Sequence, residues 1–330
     1  MNKTAIARLA IASSAFTISF ARMASAQRGG AGGAGGAGGV AAIGPTPAGM
    51  LDETIPPGIN YDKADFRFWN PPGVSSLRGV LVLVPGSNGE GRQQAQDTVW
   101  QAFAARQKLA IVACHFTDKP HDQNFIEDYV NVSRGSGQAL LDAIGAFAER
   151  SRHPELATAP LVLWGMSAGG QFDYEFAAWK PERVAAFVVN KGGIYYTALT
   201  SRATREVPAL LFIGGKDLES RISTITGLFA VNRRGGALWA LTDEPGAAHI
   251  VGRSREMSIV FFDDVLPMRI GGGGALQPID EKAGFVGDPR LKTIERADEG
   301  PLPTYSTAWL PTERAAHAWL SMITEAPFEP

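Results

Sequence analysis

Cysteine is nearly absent from this chain: Cys114 is the only one among 330 residues. A single cysteine excludes an intrachain disulfide, although an oxidising compartment outside the cytoplasm would permit one. Cys114 lies within an apolar run, so we expect its thiol to be buried and to have a structural role.

An excess of charge of either sign is also lacking. The chain has 31 basic and 33 acidic residues and a formal net charge of −2. Its first 26 residues contain three basic residues and no acidic one, which leaves 28 basic and 33 acidic residues in the remainder. Such mild acidity argues against nucleic acids and anionic membranes as partners.

Apolar segments long enough to span a membrane are lacking after the N-terminal region. Residues 1–26 have the features of a secretory signal: Lys3 and Arg8 accompany a short apolar run, and Ala-Ser-Ala at 24–26 is a cleavage site with small residues. The run is too short and too rich in Ser and Thr to span a bilayer well, although an uncleaved anchor is the alternative. We predict a secreted or periplasmic protein without a membrane-spanning segment once the signal is removed.

The segment after the predicted signal contains a Gly/Ala repeat at residues 29–39. Such a repeat has no side chains with which to bury a core. We predict that residues 27–60 form a flexible spacer and lead-in. Residues 61–330 then form one catalytic domain, a length that suits a single α/β domain.

Short runs of consecutive apolar residues predict buried strands, and helical spacing of apolar residues separates several of them. The runs lie at residues 79–84, 109–114, 161–164, 184–189, 209–213 and 237–241. This alternation predicts an α/β fold in which a mostly parallel central sheet has helices on both faces. Functional residues of such sheets collect at the carboxyl ends of the strands. The residues found there are Ser87, His115, Ser167, Asn190, Asp217 and His249.

One predicted strand leads directly into a Gly-x-Ser-x-Gly motif at residues 165–169. A serine hydroxyl is a weak nucleophile that needs exposure, a base and a site for the oxyanion. A tight turn from strand to helix supplies the exposure, and Gly165 and Gly169 remove side chains that would collide around Ser167. We predict Ser167 as a nucleophile; an ordinary serine in a glycine-rich turn is the alternative.

A nucleophilic serine needs a general base, and histidine suits neutral pH. His249 follows the last predicted strand in a loop of small residues, which would let it approach Ser167 closely. We therefore predict His249 as the base. The other histidines are His115, His121, His153 and His317.

An acid must orient the base, and Asp217 follows a predicted buried strand through two glycines. The resulting order of Ser, Asp and His is the one found when the serine lies on a strand-to-helix elbow. Glu219 and Asp243 are the competing acids. A helix N-cap is the structural alternative for Asp217.

The oxyanion needs two preorganised N–H donors. We predict the amide of Ala168 as one donor and the amide of Ser87 as the other, with the side chain of Asn88 as a further donor. The alternative for residues 86–89 is a plain turn that needs its glycines.

Four further residues are predicted to line the substrate pocket, and for Trp309 a core position is the alternative. These residues are His115, Asn190, Tyr195 and Trp309. His115 also lies near Asp118, His121 and Asp122, but Pro120 interrupts any regular spacing, so we predict a loop at the pocket edge rather than a metal site. The glycines at 271–274 lack the Lys-Ser/Thr of a phosphate-binding loop. We expect neither a metal nor a cofactor.

These motifs together resemble those of secreted α/β-hydrolases. The similarity is greatest to the esterase branch with polyhydroxybutyrate-depolymerase-like, feruloyl-esterase-like and dienelactone-hydrolase-like proteins. It covers residues 79–249 and is carried by the segments 165–170, 85–87 and 215–217 and by His249. The resemblance implies an α/β-hydrolase fold and a serine esterase. Pro85 departs from the pattern, because many relatives have His before the glycine there.

The leading functional hypothesis is a secreted serine hydrolase that cleaves carboxylic esters through an acyl-enzyme on Ser167. Feruloyl or acetyl esters or short polyesters would be its small-molecule or polymer substrates. A peptidase or amidase with the same triad is the second hypothesis. A non-catalytic binding protein with a hydrolase fold is the third. The acyl group, the leaving group and the oligomeric state stay open.

Overall fold

The computed structural model describes residues 43–121, 126–299 and 305–327. An eight-stranded sheet has the strand order β1-β2-β4-β3-β5-β6-β7-β8. The strands are β1 (Met50–Ile55), β2 (Lys63–Trp69), β3 (Gly79–Val84), β4 (Leu109–Thr117), β5 (Leu161–Met166), β6 (Val184–Asn190), β7 (Ala209–Gly214) and β8 (Trp239–Glu244). Strands β3 to β8 pair in parallel with one another, whereas β2 is antiparallel to both β1 and β4.

Helices cover both faces of this sheet. They are α1 (Thr98–Gln107), α2 (Ser136–Ser151), α3 (Ala168–Trp179), α4 (Arg202–Arg205), α5 (Glu219–Arg234), α6 (Ser254–Arg269) and α7 (Glu313–Ile323). Alternate residues of β3 belong to different cores: Val80 and Val82 pack with α2, α3 and α5, whereas Leu81 and Leu83 pack with α1, α6 and α7. Strands buried on both faces cannot alternate apolar with polar residues, which explains the continuous apolar runs. The predicted α/β architecture is confirmed.

A second, three-stranded antiparallel sheet follows α6. It contains β9 (Phe285–Asp288), β10 (Thr293–Arg296) and β11 (Ala308–Leu310), with β9 in the centre. The sequence does not predict it, because its strands are only three or four residues long. It buries Trp309 in the core that it shares with α6 and α7.

The folded domain begins earlier than residue 61, the predicted boundary. Strand β1 lies within the predicted spacer and lead-in, yet it pairs with β2 over six residues. Asp52 of β1 accepts two hydrogen bonds from Arg67, a side chain that is 2% exposed. The prediction missed β1 because an edge strand held by ion pairs shows no apolar run. Residues 1–42, which include the predicted signal and the Gly/Ala repeat, lie outside the described residues.

No helix among the described residues is long and apolar enough to cross a membrane.

Candidate active site

The turn between β5 and α3 holds Ser167 in a strained conformation. Its φ of 56° and ψ of −120° lie outside the regions that residues with a side chain ordinarily adopt. The glycines on either side permit the tight turn. A Cβ on Gly165 would lie 2.2 Å from the carbonyl carbon of Gly169, and one on Gly169 would lie 2.1 Å from the carbonyl oxygen of Val84. This geometry exposes the Ser167 side chain at the carboxyl end of the sheet.

Two hydrogen bonds connect Ser167, His249 and Asp217. The distance from His249 Nε2 to Ser167 Oγ is 2.9 Å, and that from His249 Nδ1 to Asp217 Oδ2 is 2.8 Å. An ionised carboxylate can only accept a hydrogen bond, so Nδ1 of His249 carries the proton. The lone pair of Nε2 therefore faces the serine hydroxyl. The structure brings together the three residues predicted as a triad, in a geometry suited to removing the serine proton.

Asp217 is bound through both of its oxygens. Oδ2 faces His249, while Oδ1 accepts hydrogen bonds from the Leu218 amide at 2.7 Å and from Arg221 at 2.9 Å. Burial alone would raise the pKa of Asp217, but these hydrogen bonds, with the one to His249 the largest, outweigh it and lower that pKa. Asp217 is therefore a fixed carboxylate rather than a helix cap alone.

The two competing acids lie elsewhere. Glu219 is the exposed first residue of α5, and it accepts a hydrogen bond from Ser223 one turn further on. Asp243 lies on β8, where burial raises the pKa of its carboxyl group. Of the three predicted alternatives, only Asp217 is hydrogen-bonded to His249.

Two backbone segments approach Ser167 from the sides predicted to hold an oxyanion. Ala168 begins α3, and the first amides of a helix have no acceptor within that helix. Across from it, a Cβ on Gly86 would lie 3.6 Å from Ser167 Cβ. The neighbouring Ser87 is exposed. The amides of Ala168 and Ser87 remain the predicted oxyanion donors, and the approach of Gly86 makes its own amide a further candidate.

The loop after β3 is fastened by residues outside it. Asn88 has a φ of 52°, and its amide donates to the buried hydroxyl of Tyr129 at 3.2 Å. Its side-chain oxygen accepts from the Asp118 amide at 2.7 Å, and its Nδ2 donates to Ser87 Oγ at 3.3 Å. The side chain of Asn88 was predicted as a further donor to the oxyanion, but it takes part in the loop's own hydrogen bonds.

His115 was predicted to line the pocket, and this is wrong. Its side chain is 4% exposed, and its Nδ1 lies 3.2 Å from Asp65 and 3.3 Å from Glu90. The hydrogen bond with His115 is the largest contribution to a lowered pKa of Asp65. Burial would raise the pKa of Glu90, but its hydrogen bonds with Arg92 outweigh burial and lower it. His115 therefore belongs to a buried ionic cluster that anchors the chain after the β3 loop.

The predictions that Asn190 and Trp309 line the pocket are also wrong, because neither side chain is exposed to substrate. Asn190 is 0% exposed and donates to Ser254 Oγ at 2.6 Å. Trp309 is 0% exposed and donates its ring N–H to the Glu281 carbonyl at 3.0 Å. Both residues lie in strands, Asn190 in β6 and Trp309 in β11. Position in a strand alone does not reveal whether a side chain faces solvent or the core.

Tyr195 is only partly buried, but its hydroxyl is buried and unpartnered. Its ring packs edge-on against Tyr174, with 5.0 Å between the ring centroids. Burial also raises the pKa of Tyr195 well above its usual value. The hydroxyl is therefore unavailable to substrate, and a pocket-lining role for the partly exposed ring of Tyr195 stays a prediction. Asp122, the fourth member of the histidine and aspartate group weighed as a metal site, lies outside the described residues.

Exposed apolar side chains directly follow two of the triad residues. Leu218 after Asp217 is 60% exposed, and Ile250 and Val251 after His249 are 56% and 38% exposed. Sequence analysis missed them, because exposure of these side chains depends on the loops that bear them. Exposed apolar side chains therefore adjoin both the acid and the base along the chain.

A buried carboxyl group, Asp173, lies beneath the elbow and was not predicted. It is 0% exposed on α3, and neither of its oxygens has a hydrogen-bond partner. A Cβ on Gly165 would lie 2.7 Å from Asp173 Oδ2. Burial raises the pKa of Asp173 well above its ordinary value, so the folded protein retains a proton there that the unfolded chain loses.

We expect the free energy of unfolding of Asp173→Asn, measured relative to the parent, to increase as the pH rises. Because the folded-state pKa is raised, the parent loses about 1.4 kcal/mol of stability per pH unit between its unfolded and folded pKa values. The amide does not titrate and avoids this loss. Urea unfolding at pH 5 and pH 8 measures the difference, with Asp142→Asn on the exposed face of α2 as the control. A difference between variant and parent that is the same at both pH values would refute a buried neutral Asp173.

The strand order and the site together define the fold class. The nucleophile motif follows β5, the acid follows β7 and the histidine follows β8, on a parallel sheet extended by the antiparallel β2. A serine elbow with this order of partners is the arrangement of the α/β-hydrolase fold. The chain has this fold, as the sequence predicted.

Comparisons with known proteins give structural likeness only. No family model matches the chain, and no curated protein matches it. A thermostable esterase is similar with a TM-score of 0.46 and 14% identity, over 59% of this chain and 54% of that one. The matched region thus spans about half the length of that esterase.

Two further solved structures are similar with the same TM-score of 0.46. A poly(aspartic acid) hydrolase from Sphingomonas sp. KT-1 is 15% identical over 64% of this chain and 97% of that one. A poly(3-hydroxybutyrate) depolymerase from Bordetella parapertussis is 18% identical over 62% of this chain and 85% of that one. Likeness at this level does not extend to substrates.

Proposed function

We propose that this protein is an exported serine esterase. The single observation that carries the proposal is the pair of hydrogen bonds from Asp217 through His249 to Ser167, at 2.8 and 2.9 Å. His249 Nε2 takes the hydroxyl proton as Ser167 Oγ attacks the ester carbonyl. Asp217, already ionised, stabilises the imidazolium that results.

The tetrahedral intermediate places its negative charge between the start of α3 and the loop after β3. The amides of Ala168 and Ser87 donate to that oxyanion. The intermediate collapses as His249 returns its proton to the leaving alkoxide, which departs as the alcohol. Water then attacks the acyl-enzyme and gives a proton to His249, which passes that proton to Ser167 Oγ as the carboxylic acid is released.

The surroundings of the triad favour uncharged acyl or alcohol groups. Leu218, Ile250 and Val251 present exposed apolar side chains beside Asp217 and His249. Apolar contact with these side chains would bind aromatic or alkyl groups. We therefore propose feruloyl-type or acetyl esters or short polyesters as substrates.

A panel of p-nitrophenyl esters, tested beside peptide anilides on the purified protein, examines this function. The esters should vary in acyl length and in aromaticity. We expect turnover of esters and none of anilides above background. Equal turnover of the anilides would make the protein an amidase. No turnover of either, with no fluorophosphonate labelling of Ser167, would leave a binding protein.

We expect kcat/KM to rise with pH along a single sigmoidal limb. His249 must be neutral to accept the serine proton, so activity should fall in the mildly acidic range. The lowered pKa of Asp217 keeps this carboxylate charged through that range. A pH profile on one soluble ester measures the limb. A rate that increases on acidification would contradict a histidine base.

We also propose that residues 1–26 are a signal peptide and that the protein is secreted or periplasmic. The basic start, the short apolar run and the small residues at 24–26 support cleavage before Gln27. Mass spectrometry of the exported protein should therefore detect Gln27 at or near its N terminus. A peptide that retains Lys3 on the exported protein would indicate an anchor instead.

A further inference from the structure

A buried ion pair lies beside the loop that carries His249, and the steps above do not use it. Lys191 directly follows β6, and its side chain is 0% exposed. Its Nζ donates to Glu244 Oε2 at 2.9 Å and to Asn190 Oδ1 at 3.2 Å. Burial of an ammonium group costs free energy unless the group is paired and hydrogen-bonded. Lys191 Nζ therefore requires acceptors at these positions.

Glu244 fastens both ends of the loop formed by residues 245–253. Its main-chain oxygen accepts from the Ala247 amide at 3.0 Å, and its Oε1 accepts from the Arg253 amide at 2.8 Å. Gly252 leaves room for this carboxylate, since a Cβ there would lie 2.3 Å from Oε1. The main chain of Glu244 therefore holds the start of the His249 loop, and its carboxylate holds the end.

Lys191 and its neighbour Asn190 connect this loop to the nucleophile elbow. The Asn190 carbonyl accepts from the Ser167 amide at 2.8 Å, and its side chain donates to Ser254 just beyond the loop. The aliphatic part of the Lys191 side chain also lies close to Gly214, which adjoins the start of the loop at Ala247. A Cβ on Gly214 would lie 2.9 Å from Lys191 Cε and 2.7 Å from the Ala247 carbonyl oxygen.

We propose that the Lys191–Glu244 pair is a positioning device that sets the distance between His249 Nε2 and Ser167 Oγ. The two groups touch no reacting atom and act through the loop and the elbow that they join. The effect on turnover rests on the proposed esterase function. The effect on the histidine geometry can be measured without turnover.

The test uses the double variant Lys191→Met/Glu244→Gln. The single variant Lys191→Met would leave a buried carboxylate without its cation, whereas the double variant removes both charges with little change in volume. The amide oxygen can still accept from Arg253. We expect a cooperative melt and a kcat about 10- to 100-fold below the parent with a nearly unchanged KM, because misplacement of a catalytic group by about 1 Å has effects of this size.

A second ion pair with a buried cation provides the control. Arg233 is 0% exposed, and its Nη1 lies 2.7 Å from Oε1 of Glu281, whose side chain is 33% exposed. Arg233 lies in the last turn of α5, whereas Asp217 precedes the first turn of that helix. Arg233→Met/Glu281→Gln should change the melting temperature but leave kcat at the parent value. If the Lys191 and Glu244 double variant also keeps its kcat within twofold, the positioning role is overturned.

Proton NMR gives a readout that does not require ester hydrolysis. The proton on His249 Nδ1, bound to the Asp217 carboxylate, should give a far-downfield resonance that is absent from Asp217→Asn. We expect this resonance in the parent and the control and its loss or shift in the Lys191 and Glu244 double variant. An unchanged resonance overturns the proposal. If the resonance responds while the parent hydrolyses no ester, the positioning role stands and the esterase function fails.

Discussion

Ser167→Ala is expected to lower kcat for ester hydrolysis by roughly 10⁴- to 10⁶-fold, because no other group can form the acyl-enzyme. The substitution removes only the hydroxyl that lies 2.9 Å from His249 Nε2. The backbone conformation of residue 167, with a φ of 56°, is as strained for alanine as for serine, so the fold should persist. Initial rates on a p-nitrophenyl ester and a thermal melt measure the two effects.

Ser223→Ala is the matched control for this variant. Ser223 lies on the exposed face of α5, where its hydroxyl donates to Glu219. It should retain the parent rate. Activity of Ser167→Ala within tenfold of the parent would remove Ser167 from the mechanism.

Asp217→Asn is expected to lower kcat on the order of 10⁴-fold, as loss of the acid does in a well-formed triad. The structure gives the reason for a loss of this size. Two donors, the Leu218 amide and Arg221, point at the position of Oδ1 and require an oxygen there. The new NH₂ group must then face His249 Nδ1 and donate to it. The proton of the His249 ring is therefore on Nε2 instead of Nδ1. That tautomer cannot accept the proton of Ser167.

Glu219→Gln is the control, since Glu219 is the competing acid two residues further along. Its carboxylate is exposed and bonded to Ser223, so we expect the parent kcat. Parallel kcat measurements on both variants decide between the two acids. If Glu219→Gln is the more damaging, the acid has been assigned to the wrong residue.

The sequence predicts the central strands of the sheet better than its edge strand β1. Strands β3 to β8 are buried on both faces, so their apolar runs are visible in the sequence, and the elbow glycines mark the turn at Ser167. Strand β1 contains Asp52 and is held by an ion pair with Arg67, which leaves no apolar signal. Its pairing with β2 depends on residues in two separate segments.

The wider site depends on orientation and on long-range partners, which local patterns do not contain. Asn190 is the last residue of β6, and Asp217 lies just after the end of β7. The Asn190 side chain nevertheless points inward and donates to Ser254. Lys191 meets Glu244 across 53 positions of sequence, and Tyr129 meets Asn88 across 41. Neither pair has a spacing that a sequence motif could reveal. The order of Ser167, Asp217 and His249 was accessible because each follows its own strand.

The rate at which a fluorophosphonate modifies the protein tests most directly whether His249 activates Ser167. Intact-protein mass spectrometry follows the reaction, and peptide mapping locates the adduct. We expect one adduct per chain on Ser167, formed rapidly by the parent, slowly by Asp217→Asn and not at all by Ser167→Ala. An adduct on another residue, or labelling of Asp217→Asn as fast as the parent, would contradict this expectation.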